Sequence, residues 1–141
     1  MNKSLKTLGR IKKFQIDEQR KLLMEKLTKE EEIIKNIQLL DKKFAEEKEF
    51  ATNNPGVGDF GAYTKRYLKI RQEQEDYLQK VRQEIETIRD KISDMFKEQK
   101  TFEIVDENRK KHERFEQEQK DQKMLDEIGT NAYIKNHEAT S

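Results

Sequence analysis

The residues best suited to acid–base or metal chemistry in this chain are its two histidines, His112 and His137. A metal site on a helix needs two ligands one turn apart, as in a His-Glu-x-x-His motif, and neither histidine stands in such a motif. Both lie in polar helical sequence, where a solvated imidazole is the usual state. We therefore expect neither of them to bind a metal or to take part in catalysis.

Carboxylates offer acid–base chemistry when two of them face each other. The pairs Asp106-Glu107 and Asp126-Glu127 are adjacent in sequence, so on a helix their side chains diverge. The chain contains no cysteine, which excludes a thiol nucleophile and a thiolate zinc site. The sequence thus predicts a protein that is not an enzyme, that has no cofactor or metal site, and that acts by binding, bracing or transmitting motion.

The composition indicates long, solvated helices. Asp, Glu, Lys and Arg make up 42% of the chain, and 30 basic against 29 acidic residues leave a net charge of +1. This even mixture is typical of an exposed helix, and it lacks the basic excess of a nucleic-acid-binding protein. No apolar run approaches the roughly 18 residues that cross a bilayer. We expect a cytoplasmic protein without direct membrane insertion.

One apolar stripe organises the chain. Its members follow one another at spacings of 3 and 4 residues: Leu78, Val81, Ile85, Ile88, Ile92 and Met95, resumed at Phe102. A heptad stripe of this kind keeps one narrow seam on a supercoiling helix and requires a partner helix. The N-terminal segment supplies that partner, because its apolar residues keep the same spacing from Ile33 to Phe44.

A single break separates the two segments. Pro55 cannot continue a helix, and Gly56 and Gly58 can take positive φ. A phosphate-binding role for these glycines would need the Gly-Lys-Ser/Thr of a P-loop after a strand, which is absent. The sequence predicts a single elongated all-α domain, 1–141, folded as a long antiparallel two-helix coiled-coil hairpin. Its parts are a helix over about 4–51, a turn over 52–59 and a longer second helix over about 60–136.

A second stripe occupies the start of the second helix. It consists of Phe60, Tyr63, Tyr67, Ile70, Gln74, Tyr77 and Val81, again at spacings of 3 and 4 residues. Two interpretations stay open at this point. Either the stripe packs on the first helix, or part of it stays exposed as a docking surface, because aromatic residues are enriched at protein interfaces.

The second helix is longer than its partner. Antiparallel pairing about Pro55 places Leu5 near residue 105, so the segment beyond has no partner within the chain. From residue 106 to residue 123 its only large apolar residue is Phe115, and a small apolar patch follows at Met124, Leu125 and Ile128. We expect a solitary charged helix here, stabilised by ion pairs of roughly 0.2–0.5 kcal/mol each, unless another protein covers it.

Three features resemble the FliJ family of the flagellar type III export apparatus and, more distantly, the stalk proteins of injectisomes. The first is the Asn-Asn-Pro-Gly-Val-Gly turn at 53–58 between two long helices. The second is the opening of the second helix from Tyr63 to Tyr77. The third is the sequence Asp-Gln-Lys-Met-Leu-Asp-Glu-Ile at 121–128, which is similar to the Asp-Gln-Lys-x-x-Asp-Glu ending of the family. The resemblance spans nearly the whole chain.

The resemblance implies a stalk similar in shape to that of the γ subunit of rotary ATPases. Such a protein inserts into the central hole of the hexameric export ATPase and promotes its assembly and activity. It also contacts the cytoplasmic domain of the export gate and the export chaperones. We expect a monomer when the protein is alone, peripheral to the cytoplasmic face of the inner membrane at the flagellar base.

The same resemblance implies two sets of binding residues. The candidates for binding the ATPase are Asp121, Gln122, Lys123, Asp126 and Glu127. The candidates for binding the export gate are Ile70, Gln74, Tyr77 and Val81. Two alternatives stay open: a generic coiled-coil chaperone or adaptor that holds aggregation-prone clients on an exposed seam, and an injectisome stalk homologue.

Overall fold

The computed structural model describes the backbone of residues 3–140 and the side chains of residues 3–138. Within that range the chain forms two α-helices and no strand: α1 is Lys3–Asn53 and α2 is Phe60–Thr140. The predicted fold class is confirmed, with two helices that pack against each other and a longer second helix. Helix α2 continues past residue 136, where its end was predicted, to Thr140.

Contacts within the chain divide it into two units. The first, called here the hairpin unit, is Lys13–Phe96. The second, called here the terminal unit, combines Met1–Lys12 with Lys97–Ser141. The organisation of 1–141 as one domain stays a prediction.

The core of the hairpin unit is the predicted seam. Ile33 and Ile37 of α1 pack with Leu78, Val81 and Ile85 of α2, and the exposed fraction of each is 8% or less. Three half-buried residues of α1 border this cluster: Leu23, Leu27 and Ile34. Full burial of one such aliphatic side chain contributes about 1.5–3 kcal/mol. The heptad spacing therefore places the main apolar contacts where the two helices meet.

Ion pairs between the two helices show that they run antiparallel. The nitrogen–oxygen distances are 2.6 Å for Lys26–Glu84, 3.3 Å for Glu30–Arg82 and 3.0 Å for Asp41–Arg71. The α2 partner has a lower residue number as the α1 residue number rises, which is the order of an antiparallel pair. In the terminal unit, Lys12 pairs with Glu98 at 2.5 Å.

Two glycines allow the backbone to turn between the helices, and an aspartate caps the start of α2. Gly56 and Gly58 take φ values of +82° and +72°, a region that side chains with a Cβ rarely adopt. The Asp59 carboxylate accepts a hydrogen bond from the backbone N–H of Ala62 at 3.0 Å. This bond caps the first turn of α2 and satisfies one of its unpaired donors.

Candidate partner-binding surfaces

The first half of the tyrosine stripe packs on α1. The ring of Phe44 stacks against three rings of α2, with centroid distances of 5.7 Å to Phe60, 6.3 Å to Tyr63 and 4.1 Å to Tyr67. All four rings are half-buried. For this half of the stripe the structure supports the packing interpretation.

A polar network lies beside the stacked rings and joins the two helices. The Tyr67 hydroxyl donates to Asp41 Oδ1 at 2.5 Å, and Arg71 Nε donates to the same oxygen at 3.0 Å. Arg71 also donates to Glu75 at 2.9 Å. The hydrogen bonds from Arg71 and then from Tyr67 hold the pKa of Asp41 below its usual value. The bond to Asp41 raises the pKa of the Tyr67 phenol.

The second half of the stripe divides between surface and core. Ile70 and Tyr77 are 45% and 41% exposed, and Gln74 is half-buried. The ammonium group of Lys29 lies 5.6 Å from the centroid of the Tyr77 ring, a cation–π contact. Val81 is only 2% exposed and belongs to the core. Of the four export-gate candidates, three therefore reach the surface and Val81 does not.

The C-terminal part of α2 is exposed along its whole described length. Every side chain from Glu107 to Glu138 is exposed, and this stretch is called here the distal segment. All five candidates for binding the ATPase lie in it: Asp121, Gln122, Lys123, Asp126 and Glu127. Two side-chain hydrogen bonds between residues one turn apart support the helix, from Gln117 to Asp121 at 3.0 Å and from Gln122 to Asp126 at 3.2 Å.

The five candidates lie on different faces of the distal segment. Helical spacing places Asp121 on the face of three apolar residues that are 58–62% exposed: Met124, Leu125 and Ile128. Of the other four candidates, Lys123 and Asp126 project from the opposite face. Gln122 and Glu127 lie between the two faces, one on each side of the helix. The distal segment thus offers an apolar face and a charged face at the same level of the helix.

Both histidines lie in the distal segment and contact neighbouring side chains. His112 Nε2 lies 3.1 Å from Glu116, and the rings of Tyr133 and His137 have their centroids 4.3 Å apart. Among the described residues, no cluster of acidic and histidine side chains could hold a metal ion. No helix in the described part of the chain is long and apolar enough to cross a membrane.

Two α-helices that pack against each other, the second of them longer and exposed along its C-terminal part, define an all-α helical hairpin class. The family model described as the flagellar FliJ protein matches residues 1–138. The chain belongs to the FliJ family and is a component of the flagellar export apparatus. The family is one of structural export proteins that are not known as enzymes. No curated protein and no solved structure matches the chain.

Proposed function

We propose that this protein is the non-enzymatic stalk of the flagellar export apparatus. It binds the hexameric export ATPase, promotes its assembly and activity, and links it to the cytoplasmic domain of the export gate and to export chaperones. It is a monomer when alone, and it works in the cytoplasm beside the inner membrane at the flagellar base. Membership of the FliJ family supports this role. The exposure of the distal segment is the observation that supports binding to the ATPase.

The apolar face of the distal segment supports a partner at this level of α2. Met124, Leu125 and Ile128 are each more than half exposed to water. Apolar residues spaced one turn apart are the anchors by which an amphipathic helix binds in a groove of another protein. A helix without tertiary packing gains little stability from its own propensity. Contact with a partner would bury these side chains and stabilise the segment.

The distribution of the candidate residues around the helix favours a partner that surrounds it. A flat partner that covers the apolar face would leave Lys123 and Asp126 uncovered, since these two project from the opposite side of the helix. The wall of a central hole in a ring contacts both sides. Lys123 and Glu127 would orient the stalk, because charged groups at an interface contribute more to specificity than to affinity.

The exposed half of the tyrosine stripe is the proposed export-gate surface. Ile70 and Tyr77 provide apolar area, and Gln74 between them provides a polar group. Val81 follows them at the same helical spacing and lies in the core of the hairpin unit. This surface lies in the hairpin unit, so it can be altered without changing the distal segment.

Truncation after Lys111 tests the proposal. The shortened chain keeps the whole of the hairpin unit, and we expect its circular dichroism to remain helical. ATP hydrolysis by the cognate hexameric export ATPase should no longer rise when the shortened chain is added. A matched control is the full chain with Ile70→Ala and Tyr77→Ala, which should stimulate normally. Normal stimulation by the shortened chain would rule out the distal segment as the ATPase contact.

A second candidate function is a coiled-coil chaperone or adaptor that works without an ATPase. Exposed apolar side chains on α1 favour it, since Met24 and Leu39 are 64% and 65% exposed within the hairpin unit. Such a protein would slow the aggregation of an export substrate and leave ATP hydrolysis unchanged. The hydrolysis measurement therefore separates the two functions.

A further inference from the structure

The first turns of α1 carry a row of exposed cations. Lys3, Lys6 and Arg10 follow one another at spacings of 3 and 4 residues, so they lie on one face of the helix. All three side chains are exposed. Among the described residues, the interhelical ion pair of the terminal unit uses Lys12 and Glu98, and none of these three cations has an acidic partner. They are called here the cationic row.

The charge of this segment differs from that of the rest of the chain. The first 16 residues contain five basic residues and no acidic one, so the remainder has an excess of acidic residues. The first turn of α1 has no acidic residue either. Cations near a helix N-terminus are repelled by the positive end of the helix dipole. A sequence that departs from a local rule in this way commonly does so at a functional site.

We propose that the cationic row is a docking surface for a bilayer that contains anionic phospholipids. Each lysine or arginine near an anionic leaflet strengthens binding by about fivefold, and the contributions accumulate because lipid headgroups form a continuous negative surface. An acidic helix would need carboxylates in register with all three cations. Each exposed ion pair that it formed would contribute less to binding than one cation near an anionic leaflet does. The bilayer is therefore the partner that a row of separate, flexible cations fits best.

The side of these turns opposite the cationic row carries apolar side chains that are half-buried within the terminal unit. Leu5 and Leu8 are half-buried in the terminal unit and are not free to insert between lipid chains. Docking by the cationic row is thus electrostatic, reversible and without insertion. It should weaken steeply with salt, because screening shortens the range of the attraction from about 10 Å at 0.1 M to about 3 Å at 1 M. This surface is separate from the proposed ATPase contact and does not depend on it.

Co-sedimentation of the full chain with lipid vesicles tests the proposal. The chain should bind vesicles of phosphatidylglycerol and phosphatidylcholine at low salt, and it should not bind vesicles of phosphatidylcholine alone. Lys3→Gln, Lys6→Gln and Arg10→Gln together should weaken binding by roughly a hundredfold. The matched control is Lys35→Gln, Lys42→Gln and Lys48→Gln, which changes the charge of α1 equally at exposed positions. The control should lose less than about fivefold, the effect of a single cation.

Three results would overturn the proposal: no preference for phosphatidylglycerol, undiminished binding by the variant of the cationic row, or an equal loss in the control variant. Glutamine is a good helix former, so all variants should keep the helix content of the parent by circular dichroism. Stimulation of the export ATPase without vesicles should be unchanged in the variant of the cationic row. If that stimulation is lost instead, the row contacts an acidic protein surface and the lipid proposal is wrong.

Discussion

The rings of Phe44 and Tyr67 stack with their centroids 4.1 Å apart and their planes within 10° of parallel. The hydroxyl group of the same tyrosine donates a hydrogen bond to Asp41. Tyr67 therefore holds α1 through an apolar contact and a polar contact at once. Because the two contacts need different side chains of α1, a shift of one helix along the other would break at least one of them.

Removal of the Phe44 ring should destabilise the hairpin unit. Phe44→Ala deletes the stacking contacts with three rings of α2, and we expect a loss of about 2 kcal/mol, below the full core value because the site is half-buried. Urea unfolding followed by circular dichroism measures this loss. Phe14→Ala is the control, since Phe14 is 65% exposed and should cost less than about 0.5 kcal/mol. Equal losses would show that the stack contributes no stability.

The hydrogen bonds to Asp41 should make stability depend on acid pH. The pKa of Asp41 is lower in the folded chain than in the unfolded one, so its contribution is complete above about pH 4 and is lost as the pH falls further. Asp41→Asn should lower the free energy of unfolding at pH 7 and should reduce its fall between pH 7 and pH 3. Urea unfolding at both pH values tests this. An unchanged fall in the variant would mean that other carboxylates cause the pH dependence.

The same substitution at two glycines should have effects of opposite sign. Gly56 takes a φ of +82°, so Gly56→Ala should destabilise the chain by about 1–2 kcal/mol. Gly9 lies inside α1, and Gly9→Ala should stabilise it by up to about 1 kcal/mol. An added Cβ meets nothing within 4 Å at either position, so packing does not explain a difference. Thermal unfolding of the two variants should show one midpoint falling and the other rising.

The proposed export-gate surface can be separated from folding. Ile70→Ala and Tyr77→Ala together should abolish capture of the chain by the immobilised cytoplasmic domain of the export gate, with little change in thermal unfolding, since both side chains are more than two-fifths exposed. Val81→Ala, at a buried position, should instead cost about 2 kcal/mol of stability. Retained capture by the double variant would remove this surface from the gate contact, and a loss of helicity would make its role structural.

The apolar seam could be predicted from the sequence because the heptad spacing of its residues alone determines it. Leu78, Val81 and Ile85 recur at the heptad spacing, and only a partner helix can bury such a row. Pro55 and the glycines after it fixed where the chain turns back. The heptad spacing and the turn residues were sufficient to predict the fold class.

The polar contacts could not be predicted in the same way. The chain has 30 basic and 29 acidic residues, and spacing alone does not select Asp41 as the partner of Arg71 and Tyr67. That choice depends on the register of the two helices, which the apolar core and the turn set together. The tyrosine stripe divides between core and surface for a similar reason. Its spacing is regular, but it turns gradually around α2, so the Tyr67 ring stacks on Phe44 of α1 whereas the Tyr77 ring is 41% exposed.

The most direct test of the central claim, that the part of the distal segment beyond Lys111 binds the export ATPase, is a pair of charge exchanges in the full chain. Lys123→Glu with Glu127→Lys reverses two proposed contact residues and preserves both the net charge and a charged pair one turn apart. Glu107→Lys with Lys111→Glu makes the same exchange at an ion pair of 3.7 Å that lies before the truncation point. We predict that the first variant needs at least about tenfold more protein for half-maximal stimulation of ATP hydrolysis, a change of about 1.4 kcal/mol, and that the second stimulates normally. Equal stimulation by both variants and the parent chain would contradict the claim.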